Sequence, residues 1–374
     1  MRILINAVTV KFAGGLVIAH NFLNAYNMGN HEHSLLVVAP ENNNYEQFES
    51  KMIKIRLVPD RLLKKYKRFY LKKVWLKNII SEFRPDIIFS LGNIPLSTNL
   101  PQAILLSNPF VIVKNLRRLN INIKERIIQH LRSYYFKRNI KYVKVIFTQT
   151  KIIKHKLFEM YRPEAEIIIV PMASSLLKTA ESYKLSYLDS INKTKLLCLA
   201  RYYKHKNLEI LIDLARIIKK NNSGFIIIIT IEKKQGTKAR KMINEIERLG
   251  LEDIIINAGE IKQENIKELY ERSDGLILPT LLESYSATYS DALFYKKPIF
   301  TSDLDFAKEA CGDAAYYFNP LDADNIYNTI ISAFQNTNEM QIKILKGVKR
   351  VNELPDWNEI ANLYIKQLEK LHDE

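Results

Sequence analysis

Short apolar runs alternate with segments of helical spacing along nearly the whole chain, and this alternation restricts it to α/β domains with mostly parallel sheets. In the first half the strand-like runs fall at 2–10, 34–40, 52–59, 86–92, 102–108, 143–150 and 166–171, with helices expected at 16–28, 61–83, 122–141 and 151–161. The stretch 172–192, "MASSLLKTAESYKLSYLDSIN", breaks the rhythm with small polar residues and reads as an interdomain connection. The pattern then restarts: strands at 194–200, 224–230, 253–259, 275–280, 298–302 and 314–318 are separated by helices at 207–220, 238–249, 264–272, 286–295 and 304–311. Helical segments follow near 322–335, 338–353 and 356–371. Two doubly wound domains are therefore expected. Ligands of open α/β sheets bind outside the carboxyl ends of the strands, so two such domains facing each other would enclose a cleft, and residues at strand ends become the candidates for chemistry.

Composition agrees with this division. A chain of 374 residues exceeds one ordinary core and suits two domains, and 47% apolar with 26% charged residues suits a globular protein in water. The most apolar run, "GFIIIIT" at 224–230, is far short of a membrane span, and "MRILINAVTV" opens on a strand-like segment without a signal-peptide cleavage pattern, so a cytoplasmic location is expected. Cys198 and Cys311 are too few for a disulfide framework and lie in apolar surroundings, where a buried thiol is the ordinary reading. "NKT" at 192–194 matches a glycosylation acceptor but carries no weight without a secretory signal.

The net charge of +16 is unevenly placed: residues 1–170 hold 28 Lys and Arg against 11 Asp and Glu, and residues 171–374 hold 28 against 29. All of the excess lies in the first half. "RLLKKYKRFYLKKVWLKNII" (61–80) has eight basic residues and no acid, with Tyr66, Phe69, Tyr70 and Trp75 interleaved, and 114–144 repeats the style. Such stretches fit an anionic membrane surface, where cations meet headgroups and aromatic rings sit at the interface. A solvated basic face and a nucleic-acid surface remain alternatives.

The strand ends carry a connected set of residues. In "LILPTLLESYSATYSDALFYKKPIF" (276–300), Glu283 lies just past a strand, Ser284, Tyr285, Ser286, Ala287 and Thr288 follow, and Asp291 comes eight positions after Glu283. In "LARYYKHKN" (199–207), Arg201 and Lys206 follow another strand. "VKFAGGL" (10–16) places Gly14 and Gly15 in an expected turn between the first strand and first helix, and "NAGEI" (257–261) contains Gly259 and Glu260. Together, and in this order, these motifs resemble the retaining sugar-nucleotide glycosyltransferases of family 4, and the resemblance extends over nearly the full length.

That resemblance implies the GT-B fold: an N-terminal Rossmann-like acceptor-binding domain at 1–175, a C-terminal Rossmann-like sugar-nucleotide domain at 190–355, and a closing helix at 356–374 that crosses back to the N-terminal domain. It implies a nucleoside-diphosphate sugar as donor substrate and no separate cofactor. Glu283 and Asp291 stand for the family's two glutamates, and Arg201 and Lys206 for its Arg and Lys, with Ala200 in place of the usual Gly. Glu283, Arg201 and Lys206 are the implied catalytic residues; Asp291, residues 284–288, Gly14, Gly15, Gly259 and Glu260 are the implied donor-binding set. Ser284 and Ser286 stand where the family usually has glycine, so the loop is expected to use conformations open to residues with a Cβ. Ser107 and Asn108 take the place of a His that many relatives carry after a central strand.

Physical chemistry supplies roles for these residues. Breaking a bond between sugar carbon and phosphate oxygen builds negative charge on the departing phosphate, which Arg201, Lys206 and the backbone amides at a helix start near Ser286 can stabilise. Carboxylates accept from vicinal diols, so Glu283 is assigned to the transferred sugar and Asp291 to the ribose. Asp303 and Asp305 in "SDLDF" form an Asp-x-Asp pair, but acids at a helix start commonly cap it and complement its dipole, and no catalytic metal is expected. His20, His130, His155 and His205 have no metal-ligand spacing and read as ordinary helix or surface histidines. The expectation is a cytoplasmic enzyme, peripheral on the inner face of the membrane, with a lipid-linked saccharide as acceptor and no nucleic acid as partner. The alternatives are a same-fold transferase of soluble small acceptors and a non-catalytic sugar-nucleotide or nucleic-acid binding protein.

Overall fold

The computed structural model describes residues 1–374 except 64–66, 68–70, 94, 120, 174–184 and 263–264. The described residues form two compact units. The first comprises Met1–Lys114, Ile123–Met172 and Pro355–Glu374; the second comprises Asn115–Asn122 and Ala173–Leu354.

In the first unit seven parallel strands, β1 (Arg2–Asn6), β2 (Ser34–Pro40), β3 (Ile53–Val58), β4 (Ile87–Ser90), β5 (Gln102–Leu105), β6 (Val145–Thr148) and β7 (Glu166–Ile169), are arranged in the order β3-β2-β1-β4-β5-β6-β7. In the second, six parallel strands, β8 (Thr194–Cys198), β9 (Phe225–Ile229), β10 (Ile255–Asn257), β11 (Gly275–Leu278), β12 (Ile299–Ser302) and β13 (Ala315–Phe318), follow the order β10-β9-β8-β11-β12-β13. Both orders reverse once, between β1 and β4 and between β8 and β11, which is the doubly wound Rossmann arrangement. Strands covered on both faces read as unbroken apolar runs, and β9, Phe225-Ile226-Ile227-Ile228-Ile229, is buried at every position. Each expected strand is present; β2 keeps its expected bounds and the others are shorter, because residues past the last ladder hydrogen bond belong to the connecting loops.

The helices are α1 (Ala13–Met28), α2 (Leu76–Phe83), α3 (Ile123–Asn139), α4 (Lys151–Tyr161), α5 (Ile210–Asn221), α6 (Thr237–Arg248), α7 (Ile266–Glu271), α8 (Ala287–Phe294), α9 (Asp305–Cys311), α10 (Ala323–Gln335), α11 (Thr337–Asn352) and α12 (Trp357–Asp373). Of the helix expected at 61–83, the described residues show a single turn at Asp60–Leu63 and a wider π turn at Leu71–Trp75 that runs into α2. Much of the basic run, including Lys64, Lys65, Tyr66, Arg68, Phe69 and Tyr70, lies outside the described residues, as does most of the interdomain connection expected at 172–192. Gly14 and Gly15 sit in the first turn of α1 rather than in a turn before it.

α12 closes the first unit. Asp356 and Glu359 form a capping box that starts it, and Ile360, Ala361, Tyr364, Ile365 and Leu368 recur at helical spacing on its buried face. Tyr364 meets Phe22, Phe89 and Phe147, with ring centroids 5.9, 5.2 and 4.8 Å away. These aromatic contacts tie the end of the chain to α1, β4 and β6. Among the described residues no helix is long and apolar enough to cross a membrane.

Candidate functional site

β8 and β11 are neighbours, paired in parallel at Leu196↔Gly275 and Leu197↔Leu276. Their carboxyl ends lie where the strand order reverses, and a crevice opens at such a point because successive connections leave on opposite faces of the sheet. The loop after β8 carries Arg201 and Lys206; the loop after β11 carries Thr280 and Glu283. The two loops are fastened together: the Leu281 amide donates to the His205 carbonyl at 2.7 Å, and Thr280 Oγ1 lies 3.2 Å from the same carbonyl oxygen.

On this scaffold Lys206 Nζ donates to Glu283 Oε1 in a largely buried ion pair, and Thr280 Oγ1 donates to that oxygen at 3.1 Å. Removing two opposite charges from water is tolerable when each is paired and further hydrogen-bonded, and Thr280 provides the additional donor. Arg201 Nη1 meets Glu260 Oε1 at 2.9 Å, Glu260 Oε2 meets Lys234 Nζ at 3.1 Å, and Lys234 meets Glu232 at 2.7 Å. Arg201 therefore stands at the end of an alternating chain of charges that holds its guanidinium. Gly259, at φ 73°, occupies the left-handed region, and its amide donates to Asn257 Oδ1 at 3.2 Å, a turn that sets Glu260 opposite Arg201.

α8 begins next to Glu283. Its N-cap, Ser286, has φ 124° and ψ 109°, a conformation suited to glycine, so the expectation that this loop avoids such backbone is corrected. The constraint is tertiary: buried Tyr285 and Tyr289 flank Ser286, the Tyr289 hydroxyl pairs with Thr301 Oγ1 at 2.7 Å, and Ser286 Oγ pairs with Thr288 Oγ1 at 2.7 Å. Tyr285 is buried, which pushes its phenol up to about 12, so its side chain serves as packing. Ser284, Ala287 and Thr288 border the same helix start.

Asp291 lies one turn into α8 and is only 4% exposed. Its charge adds to the burial that raises the phenols of Tyr270, Tyr285 and Tyr295. Gly14 and Gly15 belong to the first unit. There, Asn93 Oδ1 accepts from the Ser107 and Asn108 amides at 2.6 and 2.7 Å, and Asn108 Oδ1 accepts from the Phe110 amide at 3.0 Å, capping the turn Pro109–Ile112.

Three contributions escape a reading of the sequence alone. Thr280 and His205 acquire their roles only through β8–β11 pairing. His205, read from sequence as an ordinary helix or surface histidine, is half-buried in the site loop and stacks on Tyr203 with ring centroids 5.5 Å apart. Burial and the adjacent Lys206 charge push its pKa down to about 3. Asn93 has no motif around it, and its positive φ of 61° is a property of the folded loop. Cys198 and Cys311 are buried, with the Cys198 thiol pushed up to about 12 by burial, which leaves it inert. Asp303 pairs with Lys308 at 2.5 Å and Asp305 accepts from the Phe306 amide at 2.8 Å; among the described residues no group of three or more His, Cys, Asp or Glu is placed to hold a metal ion.

Comparison with known proteins fits this architecture. Residues 187–349 match the family described as glycosyl transferases group 1. Sucrose-phosphate synthase from Thermosynechococcus elongatus superposes with a TM-score of 0.77 at 13% identity, covering 99% of this chain and 98% of that one. HepE from Anabaena, solved in complex with UDP and glucose, gives 0.73 at 14% identity with 99% of both chains covered. WaaG, a glycosyltransferase involved in lipopolysaccharide biosynthesis, gives 0.74 at 13% identity with 97% and 98% covered. The sequence has no significant match among curated proteins. Residues 187–349, which carry Arg201, Lys206, Glu283 and Asp291, thus match the model of the glycosyl transferases group 1 family, within a chain that has the GT-B glycosyltransferase fold.

Proposed function

We propose that this chain transfers a hexosyl group from a nucleoside-diphosphate sugar to an acceptor with retention of anomeric configuration. The observation that carries this reading is the Lys206–Glu283 pair just ahead of the start of α8, with Arg201 on the same loop as Lys206, at one strand-order reversal. Two cations and a helix N-terminus suit a departing diphosphate, whose charge increases as the sugar–oxygen bond lengthens. Lys206 is positioned to bridge that phosphate and Glu283, which accepts from hydroxyls of the transferred sugar; Asp291 is assigned to the ribose. The backbone of residues 284–288, with Gly259 and Glu260, is assigned to the donor, and Gly14 and Gly15 are assigned to donor binding. These groups carry the leaving-group charge without a metal. HepE, in complex with UDP and glucose, supports the donor class.

For the acceptor we propose a lipid-linked saccharide of bacterial surface polysaccharide assembly, O-antigen or capsule, met by a peripheral enzyme on the inner face of the membrane. The excess of positive charge in residues 1–170 supports this, as does the likeness to WaaG. A soluble small acceptor is the second reading, favoured by the likeness to sucrose-phosphate synthase. Thermal melts across nucleoside diphosphates and their sugar conjugates test the donor assignment: one nucleotide class should raise the melting point, and Arg201→Ala should abolish the rise. No stabilisation by any of them would overturn it. Transfer assays with lipid-linked and free saccharides then separate the two acceptor readings.

A further inference from the structure

Helix α3 packs one face into the first unit, where Phe136 is fully buried beside Tyr161 and joins a core with Ile140, Ile153 and Leu157. Its opposite face is not polar. Ile123, Ile127, Leu131, Tyr134 and Tyr135 are 68, 54, 51, 57 and 48% exposed. At 3.6 residues per turn these five fall within an arc of about 120°, a stripe along the whole helix. Isolated exposed apolar side chains are ordinary; a continuous stripe on one helix is the mark of a surface that something covers.

The cations identify what covers it. α3 carries Lys124, Arg126, Arg132, Lys137 and Arg138 against a single acid, Glu125, which accepts from Gln129 at 3.0 Å. Helical spacing puts exposed Lys124 and Arg138 inside the apolar arc, Lys124 in the first turn of the helix and Arg138 in the last, with Lys137 and His130 along one border and Arg132 beyond the other. Cations interleaved with a stripe of Ile, Leu and Tyr do not suit a dry protein interface, whose centre is depleted of lysine. They suit an anionic lipid surface, where apolar side chains and rings enter the boundary between headgroups and acyl chains while Lys and Arg stems reach back to the phosphates.

We propose that the outer face of α3 is the surface by which this chain docks on anionic lipid, the helix lying in the plane of the interface. This deepens the lipid-linked acceptor reading and rests on it for its biological use, but docking is measurable without any transfer reaction. The full chain is sedimented with vesicles of phosphatidylcholine alone and with phosphatidylglycerol added. Wild type should bind only the anionic vesicles, and added salt should weaken binding. The triple variant Ile127→Ser, Leu131→Ser, Tyr134→Ser should lose about tenfold or more in vesicle affinity. Lys124→Gln, Lys137→Gln and Arg138→Gln together should lose about a hundredfold, since each cation near such a surface is worth about fivefold. Both variants alter exposed side chains and should melt at the wild-type temperature.

Unchanged vesicle binding in either variant overturns the proposal, as does wild type that ignores anionic vesicles. Wild type that instead self-associates in solution, with the Ser variant monomeric, also overturns it and assigns the stripe to a second copy of this chain. Nucleotide-induced stabilisation, read in the same preparations, keeps failure of docking distinct from failure of the donor assignment.

Discussion

Lys206 and Glu283, 77 residues apart in sequence, form an ion pair with side chains only 15% and 11% exposed, and the Thr280 hydroxyl donates to the same carboxylate oxygen at 3.1 Å. The pair couples site chemistry to stability. Lys206→Met leaves a buried carboxylate without its partner and should destabilise the fold by about 3 kcal/mol in denaturant unfolding. The double variant with Glu283→Gln should recover part of that loss, because neither charge then remains buried alone. Turnover in Lys206→Ala or Arg201→Ala should fall by tens to thousands of fold, as removing one donor from a site of developing charge costs about 3 kcal/mol. Normal turnover in both would remove them from the phosphate role.

The two acids should separate by ligand. Glu283→Gln is expected to impair transfer more than binding of the bare nucleoside diphosphate, whereas Asp291→Ala should weaken binding of nucleotide and sugar nucleotide alike. Because Asp291 is 4% exposed, its removal should also lower stability by about 1–3 kcal/mol, and calorimetry alongside melting curves separates the effects. The reverse pattern of binding would exchange the assigned roles.

Ser286→Gly should stabilise the protein. At φ 124° a Cβ is strained by about 1–3 kcal/mol, while glycine adds about 0.4–1 kcal/mol of unfolded-state entropy, so relief outweighs freedom by about 1 kcal/mol. Unfolding midpoints that drop in the glycine variant would mean that the Ser286–Thr288 hydroxyl contact outweighs the strain.

His205 should make stability fall in acid. Its folded pKa of about 3 lies below the unfolded value of about 6.5, so the unfolded chain takes up the proton first. The contribution is complete above pH 6.5 and is lost as pH falls towards 3. His205→Gln, neutral throughout, should flatten the stability profile between those limits; an unaltered slope would place the acid sensitivity elsewhere.

Chelation should leave transfer intact. Asp303 is paired with Lys308, and an Asp305 oxygen accepts from a backbone amide, so both carboxylates serve the start of α9. Full loss of activity in chelator, restored by manganese, would transfer the leaving-group role from Arg201 and Lys206 to these acids.

The sequence by itself determined the elements and their alternation. Apolar periodicity located β1 to β13 in order and placed the last helix from 356 onwards, because a strand or helix buries residues at its own period. The frame of Arg201, Lys206, Glu283 and Asp291 was equally legible, since spacing within a loop is a property of the chain. Only the tertiary structure decided that β8 lies beside β11, and hence that Thr280 reaches the His205 carbonyl and Lys206 reaches Glu283. It alone decided that Ser286 takes a glycine's conformation, that Asp291 is buried, and that the stripe on α3 faces outwards. The reason is the range of the forces. Periodicity and capping act over a few residues, whereas strand order, burial and backbone strain are set by contacts between segments that meet only when the whole sheet has closed.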